Sequence, residues 1–588
     1  MNTQIDDWLS RFDAALTSGD VSAVTALFEP NGYWRDILSF TWNLVTLEGR
    51  DSIGAMLETC LAGTAPSNWR RTSEAEDTED GAAAWIAFET GVATGTGRVA
   101  VRDGLCHILL TTTENLKGHE EPRGALRPKG IEHRADRHRV TWSEKRAETS
   151  ARIGFEEQPE VLIIGGGQGG VALAARLKAL GVPALVVEKN PKIGDSWRNR
   201  YRSLVLHDPV WYDHLPYLPF PDTWPVFTPK DKMGDWLESY ASIFELDCWT
   251  SSSVDSATWD AEAETWTAEV THEGRTVTVT PKQLVFCTGA YGPPNTPSFP
   301  GQDSFSGTLI HSSAYHDGAD WAGKRALVIG AGSSAHDVAV DLWEAGADVT
   351  MYQRRPAIIV RSETLMELAF PTYSQEAVDN GLTVDMADML GAFTPFALAT
   401  EKNRRLYDHI RERDADFYAA LGKAGFQYDF GEDDTGQMMR ALRTASGYYI
   451  DVGASTLISE GKIKVLGGTI DTLTPDGVRI DGTDHGFDLI VACTGYASMN
   501  EAVAPIVSRE AADMVGPCWG LGSGVRGDPG PWLGELRNMW KPTAHDNLWF
   551  HGGNLALSRF YSRFVALQLK ARMEGIPTPV YARPAPAA

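Results

Sequence analysis

Two glycine loops stand in near-identical frames and end in opposite charge. Gly165-Gly166-Gly167-Gln168-Gly169-Gly170 follows the apolar run Val161-Leu162-Ile163-Ile164, and Gly330-Ala331-Gly332-Ser333-Ser334-Ala335 follows Ala326-Leu327-Val328-Ile329. Glycines spaced this way let the backbone turn sharply and approach a pyrophosphate, whose charge sits at the N-terminus of the next helix. Glu188 stands 23 residues after Gly165, at the end of a second apolar run. Gln353 stands 23 residues after Gly330 and is followed by Arg354 and Arg355. A carboxylate at that position accepts hydrogen bonds from a ribose diol, whereas arginines suit a 2′-phosphate. Two dinucleotides are therefore expected, FAD first and NADPH second. Gly165, Gly167, Gln168, Gly170, Glu188 and Lys189 are the candidates for the first site. Gly330, Gly332, Ser333, Ser334, Arg354 and Arg355 are those for the second.

Further stretches surround the loops. Phe305-Ser306-Gly307-Thr308-Leu309-Ile310-His311-Ser312-Ser313-Ala314-Tyr315 lies between them and fits FxGxxxHxxx followed by an aromatic. Gly194-Asp195-Ser196-Trp197-Arg198 precedes Tyr201-Arg202-Ser203-Leu204-Val205-Leu206-His207-Asp208-Pro209. Two buried-strand patterns end in small turns, Thr288-Gly289 and Thr494-Gly495. Near the C-terminus, Gly552-Gly553-Asn554 opens an apolar helix pattern.

The 305–315 stretch resembles the signature of class B flavoprotein monooxygenases. The 194–241 stretch is similar to flavin-containing monooxygenases and their YUCCA-type relatives in plants, a resemblance that spans roughly residues 158–570. With its N-terminal extension, the whole chain resembles the type II flavin-containing monooxygenases of bacteria. The resemblance implies an FAD-dependent, NAD(P)H-consuming enzyme, able to take NADH as well as NADPH. It implies insertion of one oxygen atom from O2 into a small organic substrate through a C4a-(hydro)peroxyflavin. Baeyer–Villiger oxidation of ketones and N- or S-oxygenation both stay open. It also implies catalytic roles for His207, Asp208 and His311. Gly194, Trp197, Arg198, His207, Val254, Thr288, Gly289, Thr494, Gly495 and Asn554 join the cofactor-binding set on the same ground.

Many flavin-containing monooxygenases carry asparagine where this chain has His207, an imidazole that titrates near neutrality and is suited to moving a proton. A packing role is the alternative for this histidine. Typical Baeyer–Villiger enzymes use an arginine just before the region of Gly447–Asp451, where Arg443 is near but matches poorly. Two other functions share most of these motifs: an NAD(P)H oxidase releasing hydrogen peroxide, and a ligand-binding or assembly module acting through the N-terminal block. A disulfide reductase is disfavoured because no CxxC or CxxxxC pair occurs.

These residues need a scaffold of alternating strands and helices, an α/β flavoprotein with two dinucleotide-binding, Rossmann-like domains. Residues 158–318 and 451–588 are expected to form the FAD-binding domain, and 319–450 the NAD(P)H-binding domain with a helical insertion. Residues 1–117 read as helices followed by strands and resemble an NTF2/SnoaL-like α+β cone. There Trp34, Asp36 and Trp42 are either pocket liners or core aromatics with a satisfied carboxylate. Residues 118–157 are a charged linker with a short helix near its end.

The chain has 588 residues and a formal charge of −25, which argues against nucleic acid or an anionic membrane as partner. The start is acidic and unlike a secretory signal. The six cysteines are scattered, so neither a disulfide framework nor a metal site is expected, and the cytoplasm is the expected compartment. A homodimer is an open expectation for the N-terminal block.

Overall fold

The computed structural model describes residues 1–131, 133–289, 292–528 and 530–584. Two parallel sheets repeat one plan. The first has the order Cys248–Trp249, Ala184–Val187, Val161–Ile164, Gln283–Phe286, Leu548–Phe550. The second has the order Lys464–Leu466, Asp348–Tyr352, Arg325–Ile329, Leu489–Ala492, Thr308–His311. Every neighbouring pair is parallel. All residues of Val161–Ile164 and Leu489–Ala492 are buried. Strands covered on both faces read as unbroken apolar runs rather than as alternation. In each sheet a central strand feeds its glycine loop and then a helix of 12 residues, Gln168–Ala179 or Ser333–Glu344.

The division expected at 318 and 450 does not follow the sheets. Thr308–His311, Lys464–Leu466 and Leu489–Ala492 all pair within the second sheet, so it draws on residues outside 319–450. Parallel neighbours are joined by long crossovers, and local periodicity carries no record of which sheet a returning strand joins. The helices expected after residue 362 are present, among them Ser362–Ala369, Val384–Phe393, Phe396–Arg413 and Gly436–Thr444.

The N-terminal residues place helices Asn2–Ser18, Val21–Ala26 and Gly49–Thr64 with a seven-stranded sheet. Trp34 is fully buried and packs on Phe12, Phe28 and Phe40. Asp36 accepts hydrogen bonds from the Thr111 and Thr41 hydroxyls, each at 2.6 Å, and from the backbone N–H of Phe40 and Thr41. These residues are core, not pocket: rings fill the space and the carboxylate is satisfied. The helix Trp142–Arg152, capped by Thr141 and Glu144, docks through Trp142 on Glu245 and Arg146 on Asp247, each at 2.6 Å. No helix among the described residues is long and apolar enough to cross a membrane.

Candidate active site

The two loops are pinned in equivalent ways. Gly165 lies at φ 106° and Gly330 at φ 133°, conformations that side-chain-bearing residues avoid. A Cβ on Gly165 would fall 2.5 Å from the Cys287 carbonyl oxygen, and one on Gly330 would fall 2.4 Å from that of Cys493. Each cysteine directly precedes a Thr-Gly turn, so the same returning strand end presses on each loop. Gly167 and Gly332 cap their helices without a capping side chain. Backbone N–H groups at those helix starts are thereby left for an anion.

Glu188 accepts at Oε2 from the Gly166 N–H at 2.7 Å and at Oε1 from both the backbone N–H and the side-chain amide of Asn190 at 2.8 and 2.6 Å, which leaves Oε2 free to accept from a ribose hydroxyl. Lys189 beside it is exposed. The equivalent residue of the second loop behaves differently. The Gln353 amide exchanges hydrogen bonds of 3.0 and 2.9 Å with the Gln427 backbone and is buried. Arg354 and Arg355 are exposed and make no ion pair with any described residue. Ser333 donates to the Tyr448 carbonyl at 3.2 Å, and Ser334 is half-buried next to it.

His207 meets the second-loop helix. Its Nε2 lies 3.4 Å from Asp337 Oδ1, while the Tyr201 hydroxyl donates to Asp337 Oδ2 at 2.5 Å. The Tyr449 ring stands edge-on to His207 at 5.9 Å and is stacked on His336 at 4.0 Å. Burial opposes charge on His207. Even so, the Asp337 hydrogen bond and charge, with Asp208 and Asp451 nearby, hold its pKa above 6.5. Burial raises the Asp208 carboxyl, and His207 offsets this only in part. Asp337 and Tyr201 were not among the expected site residues. Tyr201 opens the same stretch as His207, but no spacing there assigns it a role, and Asp337 lies 130 residues away and reaches His207 only through the fold.

A second cluster joins the first loop to the C-terminal helix Leu555–Met573. Gln168 accepts from the Trp197 indole N–H at 3.2 Å and donates to the Gly553 carbonyl at 3.1 Å. Asn554 caps the helix by accepting from the Leu557 N–H at 2.9 Å, and its amide donates to the Tyr212 hydroxyl at 3.2 Å. Tyr212 packs edge-on against Phe370 and Tyr373. Tyr373 donates to Asp388 at 2.9 Å, and Arg559 grips the same carboxylate with two bonds of 2.8 and 2.7 Å. Arg559 also donates to the Tyr212 and His214 carbonyls. The outcome is an aromatic wall beside the Asn554 cap, built from Tyr212 of the loop before Lys230–Ile243 and Phe370 and Tyr373 of the insertion, and braced by Arg559 of the C-terminal helix.

Other expected residues are committed to the scaffold. The Arg198 guanidinium is taken up by Asp195, Asp235 and Glu238, a clasp between two helices and not a free cation for a pyrophosphate. Gly194 sits against that clasp at φ 91°, where a Cβ would lie 2.1 Å from the Gly234 carbonyl oxygen. Val254 is buried and pairs with Val270 across a hairpin. His311 accepts the Ser313 N–H at Nδ1, which leaves the proton on Nε2; that nitrogen donates to the Gly495 carbonyl at 3.1 Å. Both ring nitrogens are used, and burial lowers the pKa. The ring therefore ties a strand end to the Thr494-Gly495 turn and has no nitrogen left for a reactant. Thr494 donates to the Asn295 carbonyl, Thr288 is exposed, and Gly289 lies at φ 103°. Arg443 chelates Asp433 at 2.8 and 2.9 Å, so it is not available to assist a ketone.

Two uncapped helix starts behind two pinned glycine loops, each leaving one of two matching parallel sheets, define a flavoprotein oxidoreductase of the two-dinucleotide class. The pyridine nucleotide-disulphide oxidoreductase family matches residues 162–388. The chain is 33% identical over 344 residues to the indole-3-pyruvate monooxygenase YUCCA1 of Oryza sativa subsp. japonica, covering 58% of this chain and 77% of that protein. It is 29% identical over 343 residues to the probable indole-3-pyruvate monooxygenase YUCCA10 of Arabidopsis thaliana, covering 58% and 82%. An ε-caprolactone-bound cyclohexanone monooxygenase superposes with a TM-score of 0.51 at 18% identity, covering 71% of this chain and 88% of that one. An oxidised steroid monooxygenase bound to NADP gives 0.50 at 20% identity, covering 71% and 85%. The chain belongs to the class B flavoprotein monooxygenases and is an FAD- and NADPH-dependent enzyme that uses O2. The residues present fit both cofactors: the loops exclude a Cβ where the backbone must stay bare, and Arg354 and Arg355, exposed and without an ion pair among the described residues, stand beside the second loop.

Proposed function

We propose that the chain oxygenates a small carbonyl compound with an apolar or aromatic substituent, bound against Tyr212, Phe370 and Tyr373. A ketone R–CO–R′ with O2, NADPH and H+ would yield the ester, water and NADP+. When bound, FAD and NADPH supply the electrons and the oxygen-activating centre. The protein's part is to orient the substrate, keep the site dry and hold a proton. The observation that carries the reading is the Asp337–His207 pair, a half-buried imidazole kept above its ordinary pKa and thus able, near neutrality, to give a proton to a substrate carbonyl oxygen as it gains charge. The aromatic wall favours carbonyl compounds bearing rings, in keeping with relatives named for indole-3-pyruvate. Gly165, Gly167, Gly170 and Glu188 would hold FAD; Gly330, Gly332, Arg354 and Arg355 would hold NADPH. His311 would act only by positioning the Thr494-Gly495 turn. The free cysteines fit a reducing cytoplasm.

A panel of 4-phenyl-2-butanone, indole-3-pyruvate, cyclohexanone, thioanisole and trimethylamine tests this by stimulated NADPH oxidation and product mass. Aromatic carbonyl compounds should give the strongest stimulation and a product carrying one added oxygen, decarboxylated in the case of the oxo acid. NADPH consumption unchanged by every compound, with all of it recovered as hydrogen peroxide, would favour the oxidase reading.

The nucleotide assignment has its own test. Arg354→Ala should raise the NADPH KM about tenfold and leave that for NADH nearly unchanged, because one charge-assisted hydrogen bond is worth ~1.5–3 kcal/mol. Equal effects on the two nucleotides would remove Arg354 from the phosphate site.

A further inference from the structure

Two buried arginines hold the same insertion helix, and they come from distant parts of the chain. Arg559, on the C-terminal helix, grips Asp388 of the helix Val384–Phe393. Arg35, from the strand Phe28–Ile37 of the N-terminal sheet, donates from Nη1 to the Ala392 carbonyl at 2.8 Å. Asp388 and Ala392 are four residues apart, one turn along the same face. The remaining guanidinium nitrogens of Arg35 form a two-pronged bond with Glu535 at 2.7 and 2.8 Å, and Nη2 also reaches the Tyr561 hydroxyl at 3.1 Å. Thr46, on the neighbouring strand, donates to Glu535 at 2.8 Å, and Phe396 lies 5.0 Å from the guanidinium. Both partners of the ion pair are almost wholly buried, at 1% and 4% side-chain exposure.

The contacts continue inward. Tyr561 stacks on Trp540 at 3.8 Å, and the Trp540 indole N–H donates to the Gly552 carbonyl at 3.1 Å, two residues before the Asn554 cap. Arg35 thus touches the insertion helix, the C-terminal helix and Glu535 at once. A buried ion pair rarely adds stability over apolar packing of the same volume, so what this one supplies is a single fixed geometry.

We propose that the N-terminal domain is a fixed clamp on the oxygenation pocket, with Arg35 as its positioning residue. Through Arg35 it holds the helix Val384–Phe393 against the C-terminal helix and keeps the Tyr212–Phe370–Tyr373 wall closed. The proposal rests on the reading of that wall as the substrate pocket.

The test uses the full-length holoprotein carrying Arg35→Met/Glu535→Leu, which removes both charges of the pair together. Hydrogen exchange at amides 384–393 should quicken about tenfold, while that of Gln168–Ala179 and the FAD content stay as in the parent. The share of NADPH lost to hydrogen peroxide in the presence of 4-phenyl-2-butanone should rise. Unchanged exchange at 384–393 would overturn the clamp. Faster exchange with unaltered coupling would uphold the clamp and overturn instead the placement of the pocket. Where the double variant fails to fold, Arg35→Lys carries the same test: it keeps a charge opposite Glu535 but lacks the fork that reaches Ala392 and Tyr561. The same two outcomes then decide.

Discussion

Gly170→Val is expected to give a chain that purifies without flavin. A Cβ on Gly170 would lie 2.0 Å from the Gly165 carbonyl oxygen, and the obstructing atom is backbone that no rotamer change can move aside. Gly165 cannot retreat, because its own Cα already faces the Cys287 carbonyl. The loop would have to open, and the helix N–H groups behind it would turn away from the pyrophosphate. The ratio of flavin to protein absorbance, with circular dichroism to check the fold, measures the outcome. The second loop supplies the control. Ala335 occupies the corresponding place and is fully buried with its methyl group. Ala335→Gly should therefore cost only about 1 kcal/mol, the helix penalty of glycine, and leave the flavin in place. A Gly170→Val protein that stays yellow at full stoichiometry would refute the assignment of this loop.

The contrast between Gly170 and Ala335 shows what was legible in the residues alone. The glycine turns, the Asn554 cap and the helical insertion were readable because each depends on a few neighbouring positions: a bare backbone, a cap, a change of period. The pairing of the two loops with two sheets was also readable, since buried parallel strands leave unbroken apolar runs. What escaped depends on residues brought together from afar. Arg198 joined the cofactor-binding set on resemblance alone, while its partners Asp235 and Glu238 lie some 40 residues downstream. Gln353 kept the spacing of Glu188, yet the end of the insertion returns Gln427 to occupy its amide. His311 fits a signature, but its ring nitrogens are spent on Ser313 and Gly495. The strands Thr308–His311 and Leu489–Ala492 joined the second sheet, a choice made by topology and not by composition.

Asp337→Asn should move the pH dependence of oxygenation to lower pH and raise peroxide release, with coupled turnover falling on the order of tenfold, as for loss of the group that poises a proton donor. Asp337 is the carboxylate that meets the His207 ring, with Asp208 and Asp451 adding to its pull; burial acts against charge. Asparagine keeps the shape and still accepts from Tyr201, but it offers His207 no charge. The pKa of His207 must then fall, and the proton must leave it at lower pH. The sign also fixes a stability signature. The folded pKa of His207 lies above its unfolded value of 6.5. Its pairing therefore stabilises the fold fully below pH 6.5, and the contribution is lost as pH rises through the folded value. The parent should lose thermal stability across that interval, and Asp337→Asn should lose less. Tyr201→Phe separates charge from packing: it removes a donor from Asp337 while leaving the carboxylate, so the pH profile should stay near that of the parent. A profile and a coupling ratio unchanged in Asp337→Asn would show that His207 holds no proton used in oxygen transfer. The aromatic wall alone would then have to account for the reaction.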